Sequence, residues 1–312
     1  MKVLISDQTA PICAEILRGG NIEVVENPEI TPEELLAEIG EYEGLVVRSR
    51  TKVTAEVIAK ADKLKVIGRA GAGVDNIDTE AAKERGIFVM NTPGGNTNAV
   101  AELAIGYMFS LARHIPNTTA SMREGKWEKK KFGGTEVLGK TLGLLGYGKI
   151  GRQVALKAIG VGMKVICYDP VLEIGKINEE GVKITTFDEV VENADYLSLH
   201  MPKLPSTIDL INSDVLSRMK NNAYLINCAR GGIVNEDDLY NALKEGAIQG
   251  AALDVYAEEP LQESKLFTLP NVIGSPHIGA STKEAQLNVA RAIAEQISEY
   301  LNGGEARNVV NR

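Results

Sequence analysis

The chain has 312 residues, 44% hydrophobic, 24% charged and 5% aromatic, a globular composition too long for one hydrophobic core, so two domains are expected. A net charge of −8 speaks against the basic face of a nucleic-acid binder, and any anionic ligand must be met by a local cluster of cations. Three cysteines without a CxxC pair fit a reducing cytosol, and no metal site is expected.

The segment Met1–Asp7 meets an acid too early for a secretion signal, and the most apolar stretch, 99–112, is interrupted by Glu102 and too short for a bilayer. The expectation is a cytoplasmic protein with no membrane or nucleic-acid partner. Strands are expected at Val3–Ser6, Ile22–Val25, Leu45–Val47, Lys65–Ile67 and Ile87–Met90. Between them, one helix starts at Thr31, with Pro32 first and Glu33 and Glu34 in its opening turn, and another runs from Thr79 to Gly86. Asn98–His114 reads as one long, mostly apolar helix buried between layers. After a polar stretch around Trp127, strands are expected at Thr141–Leu145, Lys164–Tyr168, Tyr196–Leu199, Ala223–Asn227, Gly250–Leu253 and Val272–Ile273. A helix from Thr282 to Leu301 closes the pattern, stopped by Asn302-Gly303-Gly304.

Strands alternating with helices imply crossovers and parallel sheets. No Pro/Ser-rich linker separates the two series, so the two long helices are the expected crossovers. The reading is α/β, with two doubly wound domains. A discontinuous, flavodoxin-like substrate domain covers 1–97 and 282–312, and a Rossmann-type cofactor domain covers 98–281.

Gly146-Tyr147-Gly148-Lys149-Ile150-Gly151 is a G-x-G-x-x-G between the strand Thr141–Leu145 and a helical run from Gln153 to Ile159, and Asp169 lies 18 residues past Gly151 at a strand end. The glycines permit a tight turn and close approach of backbone to pyrophosphate. The helix N-terminus offers N–H groups to the phosphates. Asp169 suits ribose hydroxyls and repels a 2′-phosphate, so NAD is the expected cofactor rather than NADP.

Three loops follow strand ends on the cofactor side of such a sheet: Asn227–Gly232 with Arg230, Asp254–Pro260 with Glu258 and Glu259, and Ser275–Ala280 with His277. Arginine supplies a planar, permanent cation for a carboxylate. Histidine exchanges a hydroxyl proton near neutral pH, and a neighbouring carboxylate orients it and favours its charged form. Position alone leaves Glu258 as an alternative to Glu259. It also leaves room for a salt-bridged Arg230 and for His277 as a turn residue. Of the other histidines, His114 reads as a helix-terminal cation, and His200 as lining the crevice without chemistry.

The combination of Gly146–Gly151 with Asp169, Asn227–Gly232, Asp254–Pro260 and Ser275–Thr282 resembles the D-isomer-specific 2-hydroxyacid dehydrogenases nearly end to end. Val46–Arg50, Arg69–Asn76 and Asn227–Val234 resemble members acting on a phosphorylated substrate. The resemblance implies NAD-dependent oxidation of 3-phospho-D-glycerate to 3-phosphohydroxypyruvate, at the entry to serine synthesis. It implies Arg230, Glu259 and His277 as the catalytic set, and cofactor contacts at Lys149, Ile150, Asp169, Met201, Cys228, Ala229, Asp254 and Gly279. It also implies a homodimer or larger assembly formed through the cofactor domain. The chain ends at Arg312, where many such members continue into regulatory domains, which leaves two alternatives: a short form without those domains, or a longer protein cut before them.

Candidates for the phosphate are Arg48, Arg50 and Arg69 at strand ends of the first domain, with Gly71, Ala72 and Gly73 in the same motif. Lys129, followed by Lys130 and Lys131, lies in a segment that in similar enzymes reaches the partner subunit's site. Two alternatives stand beside this reading. One is a glycerate, hydroxypyruvate or lactate reductase on the same scaffold. The other is a non-catalytic, NAD-sensing interaction protein, which the intact Arg, Glu and His trio disfavours.

Overall fold

Short runs rich in Val, Ile and Leu form parallel strands in a computed structural model that describes residues 1–312. In chain order the first series is β1 (Lys2–Ile5), α1 (Ile12–Gly19), β2 (Glu23–Glu26), α2 (Pro32–Glu38), β3 (Gly44–Val47), α3 (Ala55–Lys60), β4 (Val66–Arg69), α4 (Thr79–Glu84) and β5 (Phe88–Met90). Then come α5 (Thr97–Arg113), α6 (Ile115–Arg123), β6 (Thr141–Leu145), α7 (Lys149–Gly160), β7 (Lys164–Tyr168), β8 (Lys183–Ile184), α8 (Phe187–Asn193) and β9 (Tyr196–Leu199). The chain closes with α9 (Ser213–Arg218), β10 (Tyr224–Asn227), α10 (Glu236–Glu245), β11 (Gly250–Leu253), β12 (Val272–Gly274) and α11 (Lys283–Leu301). Two units result: Met1–Asn96 with Ala280–Arg312, and Thr97–Gly279.

The first unit holds a five-stranded parallel sheet in the order β2-β1-β3-β4-β5. Alternate residues serve its two faces, as the strand period requires. Leu4, Leu45, Ile67 and Val89 pack with Leu35, Val57, Ile58 and Ala82 from α2, α3 and α4. Val3, Ile5, Val46 and Val66 pack with Cys13 and Leu17 of α1 and with Ile293, Ala294 and Ile297 of α11. At Gly68 a Cβ would stand 2.4 Å from Ile297 Cδ1, so glycine lets α11 pack closely on β4 there. The tail lies along the open edge of β5: Val310 N donates to Val89 O at 2.9 Å, and Asn311 Oδ1 accepts Val89 N at 2.9 Å. That pairing blunts the sheet edge.

The second unit holds a seven-stranded parallel sheet in the order β12-β11-β10-β9-β6-β7-β8. The order reverses between β6 and β9, the position where a doubly wound sheet opens a ligand crevice at its carboxyl ends. One face carries α5 and α7, through Val100, Ala104, Tyr107 and Leu111 against Val154, Ala155 and Ala158. The other face carries α8, α9 and α10 through Val190, Leu216, Leu239 and Leu243. No helix is long and apolar enough to cross a membrane.

The polar stretch after α5 departs from the sequence reading. It holds α6, which buries only Ser121 and so has no apolar stripe to betray it. His114, at φ +51°, makes the left-handed break between α5 and α6. The two-residue strand β8 carries no legible pattern, and α7 begins at Lys149, straight out of the glycine turn.

Candidate active site

In the second unit the glycine turn leaves β6 and runs directly into α7. Gly146 has φ +97°, and a Cβ there would stand 2.5 Å from His200 O and 3.0 Å from Met201 N, at the end of β9. At Gly151 a Cβ would stand 2.3 Å from Gly146 O, so these two glycines let the turn, helix and neighbouring strand close on one another. Gly148 differs: nothing lies within 4 Å of its Cβ position, and no side chain caps α7 there. Open space beside an uncapped helix start, with Lys149 and Ile150 opening the helix, is a cradle that fits a dinucleotide pyrophosphate. Asp169 follows β7. Its Oδ2 accepts Tyr147 N at 2.8 Å and its Oδ1 accepts Val171 N at 3.1 Å, which fixes the acid against the glycine turn.

Arg230 follows β10, after the buried residues Cys228 and Ala229. Asn227 shapes that turn: its Oδ1 accepts Ala229 N and its Nδ2 donates to Arg230 O, both at 3.0 Å. A Cβ at Gly231 would stand 1.5 Å from Tyr256 O, so glycine lets the Arg230 turn lie on the loop that carries Glu259. Glu259 Oε1 accepts Tyr256 N at 3.0 Å, and Glu259 Oε2 stands 2.6 Å from His277 Nδ1. Of the two neighbouring acids, it is Glu259 that bonds the imidazole.

The electrostatics follow from these contacts. The hydrogen bond to Glu259 raises the pKa of His277 against the opposing effect of burial, and the Glu259 and Asp254 charges add to the rise. Burial pushes the Glu259 carboxyl up, but the bonds from His277 and Tyr256 N and the charge of Arg230 hold it below its ordinary value. The charge of Arg230 lowers the pKa of both partners. Asp254, buried after β11, accepts Ile278 N and Gly279 N at 2.8 Å each and organises the turn holding His277. His200 is different. Its Nε2 meets Ser198 Oγ at 2.8 Å, its Nδ1 meets no hydrogen-bonding group, and burial pushes its pKa down to about 4.

In the first unit the phosphate candidates divide. Arg50 Nη2 donates to Ser6 O at 2.5 Å, its Nη1 to Ile30 O at 3.0 Å, and its Nε lies 3.3 Å from Asp7. Its guanidinium braces the end of β1 through these contacts while its side chain stays 47% exposed. Arg48 donates one bond, from Nη1 to Gln8 O at 3.0 Å, and burial lowers its pKa against the Asp7 charge. Val47 and Arg69 are in register on neighbouring strands, so Arg48 follows the end of β3 one residue beyond the pair and Arg69 ends β4. Gly71 makes room for Arg69, whose Nη1 would stand 1.3 Å from a Cβ at that position. Asn76 Nδ2 donates to Arg48 O at 2.9 Å and to Thr51 O at 2.6 Å, and Asn91 Nδ2 donates to Ala72 O at 2.6 Å, which leaves Gly73 within a tied turn. Lys129 is exposed after α6, two residues past Trp127, which is 81% exposed.

Sequence reasoning missed Asp7, a buried acid that accepts Arg48 N, Thr51 N and Thr51 Oγ1 and so shapes the Arg48 loop. A buried acid before a loop has no sequence signature of its own. It also passed over Tyr107 and Ser275, whose hydroxyls stand behind the His277 turn. A polar ring in an apolar helical stripe was the available signal.

Residues 105–279 match the family described as D-isomer specific 2-hydroxyacid dehydrogenase, NAD binding domain. The chain is 50% identical over 310 residues to D-3-phosphoglycerate dehydrogenase from Homo sapiens, covering 99% of this chain and 58% of that protein. It is 49% identical over 313 residues to the D-3-phosphoglycerate dehydrogenase of Methanocaldococcus jannaschii, covering 100% of this chain and 59% of that one. The chain therefore spans less than two thirds of the length of these relatives. A solved structure of NAD+-bound 3-phosphoglycerate dehydrogenase from Entamoeba histolytica superimposes with a TM-score of 0.84 at 31% identity, covering 100% of this chain and 99% of that one.

Proposed function

The chain belongs to the D-isomer specific 2-hydroxyacid dehydrogenases, and from that premise we propose that it binds NAD and oxidises 3-phospho-D-glycerate to 3-phosphohydroxypyruvate, at the entry to serine synthesis. The observation that carries the chemistry is the 2.6 Å contact between His277 Nδ1 and Glu259 Oε2, with Arg230 acting on both. NAD, when bound, supplies the hydride acceptor. The glycine turn and the start of α7 hold its phosphates, Asp169 its ribose, and Met201, Cys228, Ala229, Asp254 and Gly279 line the remainder.

Arg230 pairs with the substrate carboxylate and polarises the carbon that changes oxidation state. His277 holds Glu259 through Nδ1, which leaves Nε2 to take the C2 hydroxyl proton in oxidation and return it in reduction. Because the His277 pKa is raised, oxidation gains rate and reduction loses it as pH rises through that value. Arg48, Arg50 and Arg69 are the candidates for the phosphate, as the family resemblance implies. The relatives' shared name and near-half identity support the phosphorylated substrate.

Two further readings belong to the same proposal. The three cysteines are buried and unpaired, which supports a reducing, cytoplasmic setting. Trp127, with Ile115 at 47% exposure and Met122 at 55% on the same segment, gives apolar surface for a second copy, whose substrate Lys129 would then meet.

Initial rates on 3-phospho-D-glycerate, D-glycerate and D-lactate, each with NAD and NADP, test the proposal. The phosphorylated acid with NAD is expected to dominate, and Asp169→Ala to erode the preference for NAD. A preference for D-glycerate, or equal use of the two cofactors, contradicts it.

A further inference from the structure

Behind His277 a line of hydroxyls runs from the core to the turn. Tyr107, on α5 and 7% exposed, is the one hydroxyl-bearing residue among the buried positions of that helix. Its OH hydrogen-bonds Ser275 Oγ, and Ser275 Oγ donates to Asp254 Oδ1 at 2.5 Å. Asp254 in turn accepts Ile278 N on Oδ1 and Gly279 N on Oδ2, while its carbonyl accepts His277 N at 2.8 Å. All three amides from His277 to Gly279 therefore end on Asp254.

The turn needs such restraint. His277 has φ +52°, a left-handed conformation that is unfavourable for a non-glycine residue and persists only where its surroundings impose it. Asp254 imposes it, and Asp254 is itself 1% exposed, so its orientation depends on the donors it finds. A hydroxyl that accepts one hydrogen bond is a stronger donor in the next. Tyr107 thus strengthens and aims the Ser275 bond to Asp254. Without it, Ser275 Oγ keeps only its bond to the carboxylate, and nothing on its other side holds it there. Burial lifts the Tyr107 hydroxyl above its ordinary pKa, so it stays a donor at any working pH.

We propose that Tyr107 is a positioning residue for the acid–base histidine: through Ser275 and Asp254 its hydroxyl fixes the left-handed 277–279 turn that holds His277 Nδ1 on Glu259. The proposal rests on the reading of His277 as the acid–base group. It predicts that losing the Tyr107 hydroxyl loosens the His277–Glu259 bond, so the raised His277 pKa relaxes toward the ordinary histidine value.

The test is an NMR titration of the imidazoles together with steady-state rates. The chain has three histidines, and His277→Ala identifies the His277 signal by its loss. Tyr107→Phe keeps the ring and removes only the hydroxyl. Ser275→Ala breaks the line at its middle, and Ser275→Thr restores a hydroxyl there. Tyr107→Phe and Ser275→Ala are each expected to lower the His277 titration and to reduce kcat by roughly three- to tenfold, the weight of one neutral hydrogen bond. KM for the hydroxy acid should hold, the double variant should be no worse than either single, and Ser275→Thr should behave as the parent. An unmoved His277 titration in Tyr107→Phe overturns the proposal, whether kcat falls or not. If Tyr107→Phe fails to fold, Ser275→Ala decides on the same readout. Should His277→Ala retain its rate, the acid–base reading falls, while the titration still decides whether Tyr107 positions the ring.

Discussion

His200 and His277 sit at the carboxyl ends of strands in the same sheet, and their surroundings give them opposite chemistry. His200 follows β9, is buried under the glycine turn, meets only a serine hydroxyl, and has its pKa pushed down to about 4. His277 follows β12, is half-exposed, and has its pKa raised by Glu259 at 2.6 Å. Position in the fold brings both to the crevice side. The carboxylate partner makes only one of them able to exchange protons near neutral pH.

The largest expected effect separates these two rings. His277→Ala should lower kcat by roughly 10²- to 10⁴-fold, the weight of general acid–base catalysis. His200→Gln should fall short of the roughly 10²-fold loss that marks a missing acid or base. Steady-state kinetics on both variants decide the matter, and equal losses would break the comparison.

A similar contrast holds for the arginines after β3. Arg48→Ala removes a guanidinium that spends one bond on Gln8 O, and should cost roughly ten- to a hundredfold in kcat/KM on 3-phospho-D-glycerate, with far less on D-glycerate. Arg50→Ala removes a brace on Ser6, Ile30 and Asp7. It should lower unfolding stability and affect both substrates equally. A phosphate-selective loss in Arg50→Ala and none in Arg48→Ala would reverse the assignment.

A smaller effect concerns folding. The His200 pKa falls from 6.5 to about 4 on burial, so between those pH values the unfolded chain takes up a proton that the folded chain refuses. The stability gained from the neutral ring is therefore full above pH 6.5 and is lost as pH falls toward 4, by about 3 kcal/mol at most. Denaturant unfolding of His200→Gln should show a shallower loss over that range than the parent, and identical slopes would count against the buried neutral ring.

Much of the fold was legible because its signals are local. Strands such as β6 and β7 carry the apolar runs Leu142–Leu145 and Val165–Tyr168, as strands of a covered parallel sheet should, and Thr31-Pro32 with Glu34 builds the capping box of α2. The helix α6 was not legible, since it buries almost nothing. At the site, residue types and strand ends brought out Arg230 and His277, but spacing could not choose between Glu258 and Glu259, because the choice depends on how one loop folds over another at Gly231. The bonds of Arg50 escaped the sequence for the same kind of reason: the carbonyls of Ser6 and Ile30 that accept them are distant in sequence. Tertiary hydrogen bonds of this kind carry no periodicity.

The account turns on Glu259 setting the charge of His277, and the pH dependence of 3-phosphohydroxypyruvate reduction by Glu259→Gln tests it most directly. Reduction requires the charged imidazole, so the rate declines as pH rises through the His277 pKa. Glutamine keeps a hydrogen-bond acceptor but removes the charge, so the decline should move to lower pH than in the parent. A decline at the parent's pH in Glu259→Gln would contradict the claim that this carboxylate makes His277 the acid–base group.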